Sequence, residues 1–366
     1  MSNLLAQLLL RSQQQLKFER LIIPIIVVAV VLIVIFLGAL LVGTDPEEAF
    51  YAFYRGTFGS SFGFASVLLR TTPLLLTGIG VALAFRTKFI NIGAEGQLYI
   101  GALVATWAGL SLELPSVLFI PLLMILSFAA AGAWAAVAAV LKARFGINEI
   151  IITFMMNFIA IYLASWAVLG PLKGDIPGLA QTNDISSSAE LPRLGISRAH
   201  TGIIIGILAC ISVYYLLTKT KKGFQIRAVG SNPIASRSAG INIFRTLITA
   251  VFISGGLAGL AGMIEITGLH HHLLDEISPG YGYTGIVIAL VPNLHPLGVI
   301  PAAFLFGATF AGADAAHRIA ELPIGMVYAI QGIIMFIVIS MRWSGTKRKV
   351  ITMPRRGIRR RKIKFW

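Results

Sequence analysis

The sequence has a single cysteine, Cys210, among 366 residues. One thiol excludes an internal disulfide and any cysteine-based zinc or iron–sulfur site. Its place in the middle of an apolar run reads as a small core residue. Charge is also scarce. Only 12% of residues are charged, where a soluble domain carries about a quarter, and the 15 acids are outnumbered by 30 bases. No G-x-x-x-x-G-K-[ST] loop is present, so the chain carries no phosphate-binding engine of that kind. GGLAGLAG at 255–262 lies inside an apolar run, and its small residues read as helix close-packing rather than a phosphate loop. No nucleophile–base pair or metal set stands out, which argues against an intramembrane enzyme.

What is abundant is apolar sequence. Hydrophobic residues make up 57% of the chain and the mean hydropathy is +0.84. Several stretches hold the roughly 20 apolar residues that a helix needs to cross a bilayer. They are too long and continuous for the alternating strands of a β-barrel. The expected fold is all-α, a polytopic integral membrane bundle of about ten spans. These fall near 21–43, 66–85, 91–111, 117–141, 147–169, 201–217, 246–268, 283–293, 297–313 and 323–342. The expected organisation is an N-terminal arm (1–20), a transmembrane domain (21–342) and a basic tail (343–366). The first span is too long for a signal-peptide core and is expected to stay as an anchor. TDPEEAFYAFYRGTF then predicts a short helix, capped at Asp45, with Phe50, Phe53 and Tyr54 on one face.

The distribution of bases orients the bundle. With the N-terminus in the cytoplasm, 24 of the 30 Lys and Arg residues fall on the cytoplasmic side. Only Arg55, Arg70, Lys173, Arg193, Arg198 and Arg318 fall outside, where most loop acids lie. Both termini are therefore expected in the cytoplasm of a multi-pass plasma-membrane protein. The tail RRGIRRRKIKFW reads as a segment lying on anionic membrane lipid, not as a nucleic-acid binder, since no nucleic-acid fold accompanies it.

One polar island interrupts the apolar chain, KTKKGFQIRAVGSNPIASRSAGINIFR at 219–245, with six bases and no acid. Its centre predicts a docking helix: Ser231 or Asn232 as cap, Pro233 at the first position, Gly240 just past the end. Such a loop suits a transporter driven by a separate partner.

Polar residues near or within spans mark a candidate solute path, because they are costly there and often functional. Asn91, Glu95 and Gln97 open one apolar helix, either as cap and packing or as path. Asn157 and Glu265 lie deeper, either bonding across helices or lining a polar cavity, and the cavity is favoured. His270, His271 and His272 are consecutive, so on a helix they diverge by about 100° and cannot converge on one ion. They read as an exposed polar rim on the outer face. The stretch 283–313 breaks into two short apolar runs around VPNLHP, as broken helices lining a cavity do. The inferred interior holds no paired bases, so a neutral polar solute is expected.

FINIGAEGQLYIGAL, NEIIITFMMNFIA, GFQIRAVGSNPIASRSAGI, SGGLAGLAGMIE and GYGYTGIVIALVPNLHPLGVIPAAFLFGA resemble permease subunits of ATP-binding-cassette importers in the ribose and nucleoside branch. The nucleoside-type members are the most similar. The resemblance runs from about 66 to 342 and implies a non-enzymatic subunit moving a neutral sugar-containing solute, nucleosides foremost, with ribose or another simple sugar as the alternative. It implies a second permease subunit, a cytoplasmic ATPase with two nucleotide-binding halves, and an extracytoplasmic binding lipoprotein. ATP and magnesium belong to the ATPase, and no cofactor is expected in this chain. The loop matching 219–245 is expected to dock on the ATPase through Arg227, Gly230, Ser231, Asn232, Pro233, Arg237 and Gly240. A reading from another class is an ion-coupled secondary transporter using Glu95 or Glu265 as its ion site.

Overall fold

The computed structural model describes residues 25–323, apart from Val27, and scattered positions between Gly325 and Ser340. The arm 1–20, the tail 343–366 and most of the last expected span lie outside the described residues. Twelve α-helices are ordered along the described chain: α1 (Val28–Val42), α2 (Pro46–Thr57), α3 (Ser61–Phe85), α4 (Ala94–Ser111), α5 (Ser116–Phe145), α6 (Glu149–Leu169), α7 (Gly202–Lys219), α8 (Lys221–Ser231), α9 (Pro233–Ser238), α10 (Ile243–Ile264), α11 (Tyr281–Leu290) and α12 (Val299–Ile319). A π-turn, Glu265–His270, extends α10. Pairing between extended segments is limited, among the described residues, to two isolated bridges.

Among the described residues, six helices are long and apolar enough to cross a membrane: α3, α5, α6, α7, α10 with its π-turn, and α12 with the turn before it. They divide by burial. The most apolar stretch of α3 is 89% buried inside the protein, while those of α5, α6 and α7 are 28% buried. So α3 is the centre, packed by α10, α11 and α12, and α5 to α7 form the flank. Exposed Ile151, Phe154, Phe158, Tyr162 and Trp166 line α6. Such a stripe is stable against acyl chains and would be an aggregation surface in water. The glycines of α10 serve close packing, as their spacing predicts: a Cβ on Gly259 would lie 2.3 Å from the Ala131 Cβ, and one on Gly262 2.0 Å from the Leu98 carbonyl oxygen.

Two helices begin inside the bundle. After α3 the chain doubles back through Lys88, at φ +60°, and runs extended to Gly93 before α4 starts. Asn91 therefore lies in the extended approach to α4 and not within its first turn, a correction to the expected span. The second is α11. The Tyr281 carbonyl accepts the Thr77 hydroxyl at 3.2 Å. At about 1.5 Å per residue, Thr77 lies roughly 24 Å along α3 from Ser61 and roughly 12 Å from Phe85. With ten residues, α11 is a half-helix of about 15 Å. The break expected near 283–313 is thus an early start at Tyr281 and a turn at 291–298.

The expected helix after Asp45 forms as α2, with the Asp45 carboxylate accepting the Glu47 N–H. Ala49, Ala52 and Thr57 are buried and Tyr54 is 58% exposed, because α2 lies along α12 with the Phe53 ring over Gly312.

Candidate solute cavity and coupling face

The polar residues at the start of α4 are fully engaged. Asn91 and Gln97 exchange amide hydrogen bonds at 3.0 and 3.1 Å, and Asn91 also donates to Ser254 Oγ on α10. The Asn157 side chain accepts the Gly96 N–H at 2.8 Å and donates to the Ile92 carbonyl and Tyr283 hydroxyl. It therefore clamps the extended entry of α4 to α11. The Glu95 carboxylate accepts the Gly282 N–H at 2.6 Å, in the first turn of α11, where unpaired donors and the helix dipole favour an anion. All four side chains are at most 2% exposed.

Glu265 is placed differently. It lines a cavity of about 340 Å³ between α3, the π-turn, the 276–281 segment and α12. That is within the size range of small-molecule sites. Arg198, from the 170–201 loop, and Arg318 stand at its rim, and Ser278 and Tyr281 form its floor at the start of α11. Arg70, on α3, pairs with Asp314 on α12 and reaches the Tyr281 hydroxyl at 3.5 Å. These bases correct the expectation of an interior without paired cations. Arg70 lies within α3, partly buried, and Arg198 and Arg318 crowd towards it. Burial, then Arg318 and Arg70, lower the pKa of Arg198. A larger cavity of about 640 Å³ lies between α1, α2 and α12, but apolar side chains such as Val31, Phe53 and Leu305 dominate it. A polar solute would find few hydrogen bonds there.

The three histidines are not an exposed rim. Each is 23–28% exposed and faces an acid: His270 Nε2 lies 3.7 Å from Glu265, His271 4.0 Å from Glu190, and His272 2.9 Å from Asp184. Two of those acids belong to the 170–201 loop, whose backbone also bonds to the same segment through Thr182 to Leu273 and Ile185 to His271. The histidines thus hold the loop down. No group of metal-ligating side chains occurs among the described residues. His200 anchors the same loop, its ring packed on Gly202 and Gly268. Burial, then His271, pushes its pKa down to about 4.

At the opposite end, the polar island forms two helices where one is expected. Asn232 caps α9, its Oδ1 accepting from Ile234 N–H and Ala235 N–H at 3.0 and 3.1 Å, with Pro233 at the first position. Gly240 closes it at φ +77°, with Gly240 N–H bonded to Arg237 O and Ile241 N–H to Ser236 O, the Schellman pattern. Ile234 and Arg237 point to solvent, and Ile234 is 68% exposed. The additional helix, α8, is capped by Thr220 and carries Arg227, Gly230 and Ser231. Gly230 lies against the Arg86 carbonyl, which a Cβ would approach to 1.8 Å. The Arg86 side chain donates twice to the Leu294 carbonyl, at 3.2 and 2.8 Å. Leu294 lies in the turn that joins α11 to α12. Contacts therefore run from α8 through Arg86 to the far end of the half-helix whose start floors the cavity.

The profile of a permease family described as "Branched-chain amino acid transport system / permease component" matches residues 63–339. The chain belongs to this permease family. It is a transport subunit and not itself an enzyme. It is 33% identical to the guanosine ABC transporter permease protein NupP of Bacillus subtilis, over 88% of this chain and 94% of that one. It is 32% identical to the glucose ABC transporter permease protein TsgB13 of Haloferax volcanii, over 91% of each. It is 30% identical to the nucleoside ABC transporter permease protein NupB of Lactococcus lactis, over 81% of this chain and 85% of that one. Membership sets aside the ion-coupled reading.

Proposed function

We propose that this permease admits a neutral, sugar-containing solute, a nucleoside foremost, through the cavity above Tyr281. The observation that carries this is the cavity itself. Its lining mixes charged and polar side chains with apolar ones, its size suits a small molecule, and the start of a half-helix forms part of it. Two relatives named for guanosine and nucleosides favour that solute over the sugar of the relative named for glucose. The Arg70–Asp314 pair is internally neutral, and the bases Arg198 and Arg318 share the lining with the acids Glu265 and Glu276, so the cavity carries no excess of positive charge for a phosphate.

In this reading the end bearing α8 and α9 faces the cytoplasm, as do both termini, and the 170–201 loop faces out, where a binding lipoprotein delivers the solute. The helices α1, α4 and α11 and the segment 323–342 bring the six long helices to ten crossings. A second, different permease subunit completes the membrane pair, and a separate ATPase with two nucleotide-binding halves consumes the ATP and magnesium. Exposed Ile234 and Arg237 on α9 suit an apolar pocket with an acidic edge on that ATPase. Movement of α9 and α8 reaches α11 through Gly230, Arg86 and Leu294.

The test is uptake by the complex reconstituted with its ATPase and binding protein, using labelled guanosine, adenosine, ribose, glucose and ribose phosphate. Guanosine or adenosine uptake dependent on ATP is expected. Preference for ribose phosphate, or transport of sugars with no nucleoside uptake, would overturn the substrate assignment.

A further inference from the structure

Of the five polar side chains expected on the solute path, four are already satisfied. Asn91 and Gln97 bond each other, Asn157 bonds two backbone groups, and Glu95 holds the start of α11. Glu265 is the exception. It is 2% exposed and lines the cavity, and the nearest basic side-chain nitrogen is His270 Nε2 at 3.7 Å, beyond hydrogen-bond length. The other cavity carboxylates are accounted for, since Asp314 pairs with Arg70 and Glu276 is exposed to solvent. A carboxylate is acceptor-only and takes two parallel donors well. Buried without them, it is costly.

We infer that Glu265 is a specificity-determining residue of the permease, gripping a pair of adjacent hydrogen-bond donors on the solute. Two parts of a nucleoside carry that chemistry: the vicinal 2′,3′-diol of the ribose, and the N1–H with the 2-amino group of a guanine edge. The inference rests on the nucleoside reading above and deepens it. The π-turn supports it independently. A single wide turn inside an α-helix is uncommon and often sits at a functional position, and this one starts at Glu265. Rim bases Arg198 and Arg318 disfavour a cation as the occupant, so neutral donors are the fitting partners. A solute lacking the donor pair leaves the carboxylate unmatched and is rejected.

The experiment is a cross between residue and solute. The reconstituted complex, supplied with saturating solute-loaded binding protein, is assayed for maximal uptake of guanosine, inosine (no 2-amino group) and 2′,3′-dideoxyguanosine (no diol). Wild type is compared with Glu265→Gln and Glu265→Asp, with assembled complex quantified for each. Glu265→Gln should lower guanosine uptake about ten- to hundredfold, the range for losing a hydrogen bond to a charged group, with Glu265→Asp intermediate. The loss should shrink to under about threefold for one analogue: dideoxyguanosine if the diol is gripped, inosine if the base edge is. Equal losses for all three solutes would make Glu265 a structural partner of His270 and overturn the inference while leaving the nucleoside reading intact. Undiminished guanosine uptake by Glu265→Gln would also overturn it. A wild-type complex that transports glucose and no nucleoside would remove the reading on which it rests.

Discussion

The carboxylate of Glu95 accepts the backbone N–H of Gly282 across 187 residues of sequence, and the bond joins the first turns of two helices that both begin inside the bundle. The fit leaves no room. A Cβ on Gly282 would lie 2.2 Å from the Glu95 nitrogen. The joint holds the half-helix in place below the cavity, so its integrity bears on both stability and transport.

Gly282→Ala should therefore be strongly destabilising, by more than the about 1–3 kcal/mol typical of overpacking, because the clash is with backbone. Glu95→Gln keeps an acceptor for Gly282 and should cost less. Unfolding midpoints in detergent would compare the two. A Gly282→Ala protein as stable as wild type would show that α11 is not seated against α4 in this way.

Coupling should fail when the chain of contacts from α8 to α11 is cut. Gly230→Ala forces a Cβ onto the Arg86 carbonyl. Arg86→Gln removes at least one of the donors to Leu294. Arg237→Glu reverses the exposed charge on α9 and should weaken ATPase docking instead. In the first two variants, ATP hydrolysis by the assembled complex should continue while uptake per ATP falls at least about tenfold. Unchanged uptake per ATP in both would refute the relay, and unchanged assembly in Arg237→Glu would remove that residue from the docking face.

Sidedness can be read with two cysteines. In a Cys210→Ala background, thiols at Ser187, in the 170–201 loop, and Ser231, at the end of α8, should react with an impermeant reagent from opposite sides. Labelling from one side only would contradict the orientation drawn from the asymmetry of basic residues.

Local chemistry was legible in the sequence, and long-range placement was not. Asn232, Pro233 and Gly240 announce α9 because capping is decided within a few residues. Apolar runs announce the long helices for the same reason. In contrast, α8 is unannounced: Gly223 and Gly230 lower its helix propensity, and both are there for close contacts, with the Leu216 and Arg86 carbonyls. Glu95, Asn157 and Glu265 look alike in sequence as polar residues in apolar surroundings. Only the fold separates the two that fasten backbone from the one that faces a cavity. The Arg70–Asp314 pair was hidden because its members lie on α3 and α12, far apart in the chain, and counting Arg70 among the outside bases leaves the interior falsely free of them.

The last prediction concerns the 170–201 loop and pH. His200 is 3% exposed and its ring is wedged against Gly202 and Gly268, with His271 as the other titratable group acting on it. Its folded pKa is about 4, against about 6.5 for an unperturbed imidazole. Between those values the unfolded chain binds more protons than the folded one, so stability falls as pH is lowered from about 6.5 to about 4 and is flat above. The full shift corresponds to on the order of 3 kcal/mol at about 1.36 kcal/mol per unit. Because His200 packs on the π-turn that carries Glu265, loosening should open the loop first. A thiol at Ser187 should therefore become more reactive, relative to an exposed reference thiol, as pH falls through this window. His200→Gln should flatten that dependence. An equally steep dependence in the His200→Gln protein would show that His200 is not the group responsible.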